Sequence, residues 1–308
     1  MSGEELSTVN HDRDSAALRY VYPVVSRRAG GVSVGINLNS NNACNWRCIY
    51  CQVPNLTRGT APPVDLTVLE NELRGFLNEL LHGNFMSNRV PEGARRINDI
   101  ALSGNGEPTS VAEFPQVIEL IARVRRELSL RPGSGPATST SSGPATSTSS
   151  GPALPETMKT VLITNGSLMY RSAVQQGLRE LAKINGEVWF KLDRTSAAGM
   201  QCINDTQTSM GKVRDNLVVA IACCPTWLQT CWFALDGEPP SRRDEDDYLE
   251  FVAALLRDGH KPQGVLLYGL ARPSLQPEAA RLSALPEAHL QAFAARVTQL
   301  GLPVKVSI

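Results

Sequence analysis

The sequence predicts an α/β protein in which six strand-helix units build a parallel sheet with helices on its outer side. Short runs rich in Val, Ile and Leu alternate along most of the chain with longer segments whose apolar residues recur every three or four positions. The composition supports a large core, because 42% of the 308 residues are hydrophobic and 19% are charged. This composition excludes disorder of the whole chain.

The first unit begins with the run VSVGINL at residues 32–38, which is typical of a strand. After a long loop, residues 65–81 carry leucines at helical spacing, and Thr67 and Glu70 have the spacing of a capping box. Five similar units follow. Their strands are predicted at 97–103, 160–164, 188–193, 228–235 and 264–269, and the helices after them near 114–128, 173–184, 209–222, 245–258 and 286–300.

The composition changes abruptly at residues 132–155, where an eight-residue unit repeats and places Gly135, Gly143 and Gly151 at equal intervals. The repeat has no apolar residue larger than Ala, so it cannot offset the entropy lost on ordering. We interpret it as a flexible surface insertion. A glycosylated or partner-binding segment is the alternative, since Pro with Ser and Thr is compatible with either.

Charge and hydropathy indicate the setting of the protein. The 30 basic residues balance 30 acidic ones, which disfavours a protein that coats nucleic acid. No window of about 18 apolar residues exists to span a membrane, and the polar, acidic N-terminus does not resemble a secretory signal. We therefore expect a cytoplasmic protein without a membrane partner.

The most informative segment is NACNWRCIYC at residues 42–51, in the loop after the first predicted strand. Its three cysteines are Cys44, Cys48 and Cys51, in a CxxxCxxC pattern. Clustered cysteines in a reducing compartment more often bind metal or react than form disulfides. A structural zinc site uses four protein ligands, and no suitably spaced His or fourth Cys accompanies these three. Three thiolates can instead hold one iron-sulfur cluster and leave a coordination site free.

This loop resembles the signature of the radical S-adenosylmethionine (radical SAM) enzymes in its spacing, in Tyr50 before the third cysteine, and in its place after the first strand. The resemblance implies a partial (β/α)6 TIM-like barrel of parallel strands with outer helices, spanning residues 32–308 and preceded by an N-terminal extension at 1–31. It also implies two cofactors, a four-iron, four-sulfur cluster on Cys44, Cys48 and Cys51, and S-adenosylmethionine (SAM) on the fourth iron. The backbone around Tyr50 would lie near the adenine.

Two further strand ends resemble family motifs. The segment SGNGEPT at residues 103–109 is similar to the GGEP motif, which implies that small residues hold the methionyl group and that Glu107 meets its ammonium. The segment TNGS is similar to an element that lies beside the cofactor, although a turn and an N-cap explain it equally well. The candidate cofactor-binding residues of these segments are Gly104, Asn105, Gly106, Glu107, Thr164 and Asn165.

The fourth and sixth predicted strands supply the remaining candidates. Lys191 and Asp193 occupy positions where related enzymes contact a ribose or a carboxylate, and an ion pair between them is the alternative. The sixth strand is where radical SAM barrels contact adenine, which implies roles for Leu267 and Gly269. Arg272 follows them and would bind a substrate carboxylate or phosphate, or cap a helix end.

Four cysteines lie outside the loop: Cys202, Cys223, Cys224 and Cys231. We expect no second cluster, because auxiliary clusters of this family usually occupy a cysteine-rich C-terminal extension. Cys223, Cys224 and Cys231 fall in apolar segments, where free cysteine behaves as a small hydrophobe. A reactive role would require their three sulfurs to converge.

The resemblance implies reductive cleavage of SAM to methionine and a 5′-deoxyadenosyl radical, which abstracts hydrogen from an unidentified small-molecule or peptide substrate. An external electron donor such as flavodoxin or ferredoxin would be the partner. The combination of CNWRCIYC, SGNGEPT, TNGS, KLD and Ile203-Asn204 is most similar to proteins related to wyosine synthases, so tRNA modification is the alternative, although the neutral charge does not favour nucleic acid. A non-catalytic iron-sulfur electron carrier or sensor is a second alternative. No catalytic residue for the substrate is assigned.

Overall fold

The main element of the fold is an eight-stranded sheet. The structure is a computed structural model that describes residue 6 and residues 18–25, 30–129 and 153–308. The strands of the described residues are β1 (Val21–Val25), β2 (Val32–Ile36), β3 (Ala43–Cys44), β4 (Thr57–Arg58), β5 (Ile97–Leu102), β6 (Lys159–Thr164), β7 (Gly186–Lys191), β8 (Thr226–Cys231), β9 (Ala234–Leu235), β10 (Gly264–Tyr268), β11 (Leu282–Ser283) and β12 (Val304–Ser307). In the large sheet the order is β1-β2-β5-β6-β7-β8-β10-β12, and β3 with β4 and β9 with β11 form separate two-stranded pairs.

Helices surround this sheet. Those of the described residues are α1 (Leu66–His82), α2 (Phe85–Arg89), α3 (Phe114–Ser129), α4 (Ser172–Lys183), α5 (Ala197–Asn204), α6 (Met210–Cys223), α7 (Arg242–Arg257) and α8 (Glu287–Thr298), with short 3-10 turns at Glu92–Ala94, Pro108–Ser110 and Ala279–Arg281. Within the described ranges, no helix combines the length and the apolar character needed to cross a membrane.

The predicted fold class is confirmed. Every neighbouring pair of strands in the large sheet is parallel except β1 with β2. The six predicted strands correspond to β2, β5, β6, β7, β8 and β10, and the six predicted helices to α1, α3, α4, α6, α7 and α8. Period-two and period-3.6 patterns are local properties of a sequence, which is why they located these elements.

The fifth predicted strand is shorter than expected. Residues 228–235 were expected to form one strand, but β8 ends at Cys231, and Ala234–Leu235 pairs with β11 outside the large sheet. The apolar run continues past the end of β8 because Trp232 and Phe233 are buried against other parts of the fold. Burial and sheet pairing therefore end at different residues.

The predicted capping box at the start of α1 is wrong. The helix is capped by Asp65, whose carboxylate accepts hydrogen bonds from the backbone N–H groups of Thr67 and Val68 at 3.1 Å. Glu70 instead forms ion pairs with Arg74 and with a residue of α3. Asp65 lies directly before the first helical residue, so its oxygen reaches the unpaired N–H groups that a later Thr67 cap would have left exposed.

The two edge strands of the sheet were not predicted. The first, β1, is fully buried and contains Pro23. A proline within a run argues against a strand when the sequence alone is read, but an edge strand tolerates it. Glu72 of α1 holds the entry to β1, because its carboxylate accepts from the N–H groups of Arg19, Tyr20 and Val21. At the other edge, β12 pairs in parallel with β10.

Most of the predicted insertion at 132–155 lies outside the described residues, which resume at residue 153. There Leu154 is buried, and its N–H donates to the carbonyl of Leu128 in the last turn of α3 at 3.2 Å. The chain therefore re-enters the fold beside the point at which it leaves α3.

Candidate active site

The cysteine loop follows β2 and is shaped by the small parallel pair of β3 and β4. Cys44 of β3 lies opposite Arg58 of β4, and the N–H of Gly59 donates to the Cys44 carbonyl at 3.1 Å. The N–H of Thr57 donates to the Asn42 carbonyl at 3.0 Å. These bonds close the loop on itself, so the segment from Asn42 to Gly59 has a fixed shape.

The loop is also attached to the end of α5. The N–H of Arg47 donates to the carbonyl of Asn204 at 3.2 Å, and that of Ile49 to the carbonyl of Ile203 at 2.9 Å. The guanidinium of Arg47 forms a two-pronged contact with Glu278 at 2.8 and 2.9 Å and a third bond to Asp205 at 3.1 Å. Bidentate charge-assisted contacts fix orientation as well as distance, so α5 and the Glu278 turn orient the loop.

All three cysteines of the loop line one cavity of about 970 Å³ at the carboxyl ends of the parallel strands. Each is a free, half-buried thiol. Burial raises the pKa of Cys44 to about 11 and that of Cys48 to about 12, and the charge of Cys51 raises both. Metals bind the thiolate form of cysteine, which burial disfavours at these two positions. The positive charge of a bound iron group would stabilise that form.

The donor set fits an iron-sulfur cluster with an open corner. Within the described ranges, no group of three or more His, Cys, Asp or Glu side chains is arranged to hold a single metal ion. A four-iron cluster has a different requirement, because each cysteine binds a different iron and the sulfurs stand apart around the cluster. Three free cysteines of one loop that line a common cavity fit that requirement and would leave one iron for another ligand.

The glycines of the GNGEP segment let it approach the cysteine loop. A Cβ on Gly106 would stand 2.1 Å from the carbonyl oxygen of Ala43, and a Cβ on Gly104 would stand 2.4 Å from Oδ1 of Asn37. Gly104 also has a φ of 153°, which side-chain-bearing residues rarely adopt. The N–H of Asn105 donates to the same Asn37 oxygen at 3.0 Å. The backbone of this segment therefore forms a wall of the cavity directly beside the cysteines.

Glu107 joins the ends of β5 and β6. Its carboxylate accepts bonds from Thr109 N and Oγ1 at 3.1 and 2.5 Å, from Thr164 Oγ1 at 2.6 Å and from Asn165 N at 2.7 Å. Burial raises the pKa of Glu107, and these bonds oppose that effect. The residue lines the cavity, but its oxygens already have protein donors, so the contact with the ammonium of SAM stays a prediction.

Lys191 and Asp193 are connected through the hydroxyl of Tyr50. Lys191 Nζ donates to Tyr50 Oη at 2.7 Å, and Tyr50 Oη donates to Asp193 Oδ2 at 2.6 Å. Asn204 Nδ2 donates to the same carboxylate oxygen at 2.7 Å and lies 3.3 Å from Cys48 Sγ. This chain of polar groups runs from the strand end to a cysteine of the loop, so the predicted alternative of a direct ion pair is replaced by a bridged one.

The charges in this chain are set by burial and by each other. Burial raises the pKa of Tyr50 well above its ordinary value, and the Asp193 carboxylate adds to the shift, so the phenol stays protonated. Burial alone would lower the pKa of Lys191, but electrostatic interactions with Tyr268 and with the Asp193 carboxylate outweigh it and hold that pKa well above its ordinary value. Lys191 is therefore a fixed positive charge in the cavity wall.

The structure brings most of the other predicted residues to the cavity. Thr164, Asn165, Gly269 and Arg272 line it. Leu267 does not: it is fully buried in the main core, because successive side chains of β10 point to opposite faces and its neighbour Tyr268 faces the cavity. Asp193 is buried and is not among the described residues that line the cavity.

The four cysteines outside the loop differ in exposure and do not all line the cavity. Cys231 is buried and lines the cavity, whereas Cys224 is buried with its Sγ 3.6 Å from the carbonyl of Gly186. Cys223 is half-buried and Cys202 is exposed. Of the four, only Cys231 is among the described lining residues of the cavity.

Sequence reasoning missed several polar residues that face the cavity from within strands. Their common signal is a polar side chain inside a strand, directly beside an apolar residue that points to the opposite face of the sheet. In a barrel such a side chain points into the lumen. These residues are Ser33 of β2, Asp99 of β5 and Gln229 of β8.

The chain is similar to known proteins in both sequence and structure. No family model matches the sequence. It is 28% identical over 166 residues to a UPF0026 protein of Helicobacter pylori strain ATCC 700392 / 26695 and, to the same extent, to that of strain J99. Each match covers 51% of this chain and 38% of the relative, so the chain matches well under half the length of these curated proteins.

Solved structures match more of the chain. The structure of TYW1 with a lysine-pyruvate adduct bound matches 87% of this chain and 73% of its own, with a TM-score of 0.53 at 13% identity. A radical SAM methyltransferase from Sphaerobacter thermophilus matches 90% of this chain and 66% of its own, with a TM-score of 0.51 at 14% identity. The chain has the radical SAM fold. The predicted fold is therefore confirmed, and the cysteine loop follows β2, the first of the parallel strands.

Proposed function

We propose that this protein is a radical SAM enzyme that binds one four-iron, four-sulfur cluster through Cys44, Cys48 and Cys51. The observation that carries the proposal is that three free thiols of one loop line a single cavity at the carboxyl edge of the parallel sheet. Parallel α/β barrels collect their chemistry at this edge. When bound and reduced by an external donor such as flavodoxin or ferredoxin, the cluster supplies the electron that splits SAM into methionine and a 5′-deoxyadenosyl radical able to abstract hydrogen.

The residues of the chain bind, orient and shield. The backbone of Gly104, Asn105 and Gly106 forms the wall against which the methionyl part of SAM would lie. Glu107 fixes this wall to the end of β6 through its bonds to Thr164 and Asn165. Preorganised contacts of this kind hold a cofactor in a reactive geometry without further ordering.

The substrate we propose is a small molecule. Among the described residues that line the cavity, the basic Lys191 and Arg272 are matched by the acidic Asp99 and Glu107. An RNA-binding surface gains most of its affinity from clustered basic residues that neutralise phosphates. A balanced lining supports a small-molecule substrate over a tRNA.

The test is anaerobic reconstitution followed by dithionite and SAM, with chromatography for 5′-deoxyadenosine. We expect the product from the wild-type protein and from Cys202→Ala, whose side chain is exposed outside the loop, and none from Cys48→Ala. A reconstituted cluster that forms no 5′-deoxyadenosine would support an electron carrier or sensor instead.

The tRNA alternative has its own test. Modified nucleosides in tRNA from a strain that lacks the protein are compared with those of the parent strain. A lost nucleoside that the purified protein restores would replace the small-molecule proposal.

A further inference from the structure

We propose that the deep part of the cavity, formed by Asp99, Ser33, Gln229 and Trp189, is a subsite for the protonated amine of a small-molecule substrate. This inference rests on the proposed function, because it assigns the substrate class of the same site. It goes further in naming the charge of the substrate and the residues that recognise it.

The subsite lies well below the cysteine loop. Asp99 precedes Ser103, at the carboxyl end of β5, by four residues, a separation of about 13 Å at roughly 3.3 Å per strand residue. The cavity volume of about 970 Å³ is near the upper end of the range of about 300–1,000 Å³ for small-molecule sites. This volume allows a cofactor at the strand ends and a second, smaller molecule beneath it.

Asp99 is a buried carboxylate without a counter-ion. Its exposure is 8%, as is that of Ser33, whose hydroxyl donates to Asp99 Oδ1. No Lys, Arg or His forms an ion pair with Asp99 in the described part of the chain, and the nearby acid, Glu187, is paired with Lys159. A buried carboxylate is costly unless it is paired. Asp99 lines this cavity and also a smaller one, whose Lys159 is already paired with Glu187.

Gln229 provides a second, independent observation. It lies on β8, three strands away from β5 in the sheet order, and only 4% of it is exposed. It lines the same cavity, and its side-chain oxygen has no hydrogen-bond partner among the described residues. Buried polar atoms are paired in the great majority of cases. An unpaired acceptor that faces a cavity indicates that a ligand supplies the donor.

The remaining wall suits a cation. Trp189 lines the cavity and is held in place by its indole N–H, which donates to Glu187 Oε1 at 2.8 Å. The face of an indole attracts a positive charge within about 6 Å. Lys191 would oppose a cationic ligand, but its ammonium is bound by Tyr50 Oη and lies beside the Asp193 carboxylate. A carboxylate, an amide oxygen and an aromatic ring together favour an ammonium ion over a neutral or anionic group.

The experiment compares amines with alcohols of the same shape. Calorimetry on the reconstituted protein with SAM and without reductant measures the affinity of three matched pairs: 2-phenylethylammonium and 2-phenylethanol, cyclohexylammonium and cyclohexanol, and butylammonium and butanol. We expect at least one ammonium ion to bind about tenfold more tightly than its alcohol at pH 7.5, as a charge-assisted hydrogen bond allows.

Variants assign the preference to the subsite. Asp99→Asn should remove it, Gln229→Leu should weaken it, and Asp215→Asn, which removes the same charge from an exposed position of α6, should leave it unchanged. The inference is overturned if no pair shows the preference, if neither member of any pair binds, or if the preference survives in Asp99→Asn. The wild-type comparison decides the question even if a variant fails to fold.

Failure of the subsite and failure of the proposed function give different results. Binding is measured without turnover, so an amine preference without 5′-deoxyadenosine formation overturns only the radical chemistry. Formation of 5′-deoxyadenosine without an amine preference overturns only the subsite.

Discussion

The hydroxyl of Tyr50 donates to Asp193 Oδ2 at 2.6 Å and so ties the cysteine loop to the end of β7. The same hydroxyl accepts from Lys191 Nζ at 2.7 Å, and the Tyr50 ring packs on Phe233 with centroids 5.3 Å apart. One side chain thus connects two charges of opposite sign, at the last residue of β7 and just beyond it, and anchors them to the loop. The contact is buried, so its loss leaves polar groups unpaired away from water.

Replacing Tyr50 with Phe should therefore destabilise the protein. We expect Tyr50→Phe to lower the free energy of unfolding of the metal-free protein by about 1–3 kcal/mol, measured by urea denaturation. Tyr170→Phe is the matched control, because Tyr170 is 53% exposed, and it should change stability by less than about 0.5 kcal/mol. Equal effects of the two changes would show that the bridge contributes nothing.

The loop cysteines should be individually required for iron. After anaerobic reconstitution, Cys44→Ala, Cys48→Ala and Cys51→Ala are each expected to lose most bound iron and the visible absorbance of the cluster, because a missing thiolate opens a second corner. Cys202→Ala, at an exposed position in α5, should bind iron as the wild type does. A loop variant with wild-type iron content would contradict the ligand assignment.

The contact between Asn204 and Cys48 should tune the cluster. Asn204 Nδ2 lies 3.3 Å from Cys48 Sγ, and hydrogen bonds to ligand sulfurs stabilise the more negative, reduced state. We expect Asn204→Ala to shift the midpoint potential of the reconstituted cluster to a more negative value, measured by redox titration with electron paramagnetic resonance.

Asn216→Ala is the control for that measurement, since Asn216 is equally buried but lies in α6. Its potential should match that of the wild type. An unchanged potential in Asn204→Ala would mean that its amide does not act on the cluster.

Glu107 should be required for stability before any role with SAM. Glu107→Gln places an amide N–H₂ where the carboxylate accepts from Thr109, Thr164 and Asn165. We expect the free energy of unfolding to fall by about 2–3 kcal/mol, measured by urea denaturation. Glu238→Gln, at an exposed turn, should have little effect. A variant as stable as the wild type would show that these bonds do not hold the strand ends together.

Asp99 should impose a pH-dependent cost on folding. Burial raises the pKa of Asp99 from 3.8 to about 6, so the folded protein binds this proton more tightly than the unfolded chain does. The contribution of Asp99 to the free energy of unfolding therefore falls as the pH rises from about 4 to about 6, and it stays low at higher pH. Asp99→Asn cannot ionise, so it should be more stable than the wild type at pH 7.5 by about 2–3 kcal/mol.

Urea denaturation at pH 5.0 and 7.5 checks this sign. The advantage of Asp99→Asn should be about 1 kcal/mol larger at pH 7.5, and Asp215→Asn should show no such pH dependence. An advantage that shrinks as the pH rises would contradict a raised pKa. A carboxylate kept at this cost is consistent with a role in binding.

Local patterns explain what could be predicted from the sequence. The six internal strands and six helices follow from periodicities that neighbouring residues create, and the CxxxCxxC loop carries its three proposed iron ligands within eight residues. The edge strands β1 and β12 escaped prediction, because Pro23 interrupts the pattern of one and the other is only four residues long. The cap of α1 was misplaced because two acceptable caps stand close together in the sequence.

By itself, the sequence determined the order of the elements, the position of the cysteine loop after the first predicted strand and the small residues of GNGEP. Only the tertiary structure decided that Tyr268 and not Leu267 faces the cavity, that Tyr50 bridges Lys191 and Asp193, and that Asp99 and Gln229 share one lumen. The physical reason is that these relationships depend on how strands distant in the chain are aligned in the sheet. A shift of one residue in that alignment would turn each side chain to the opposite face.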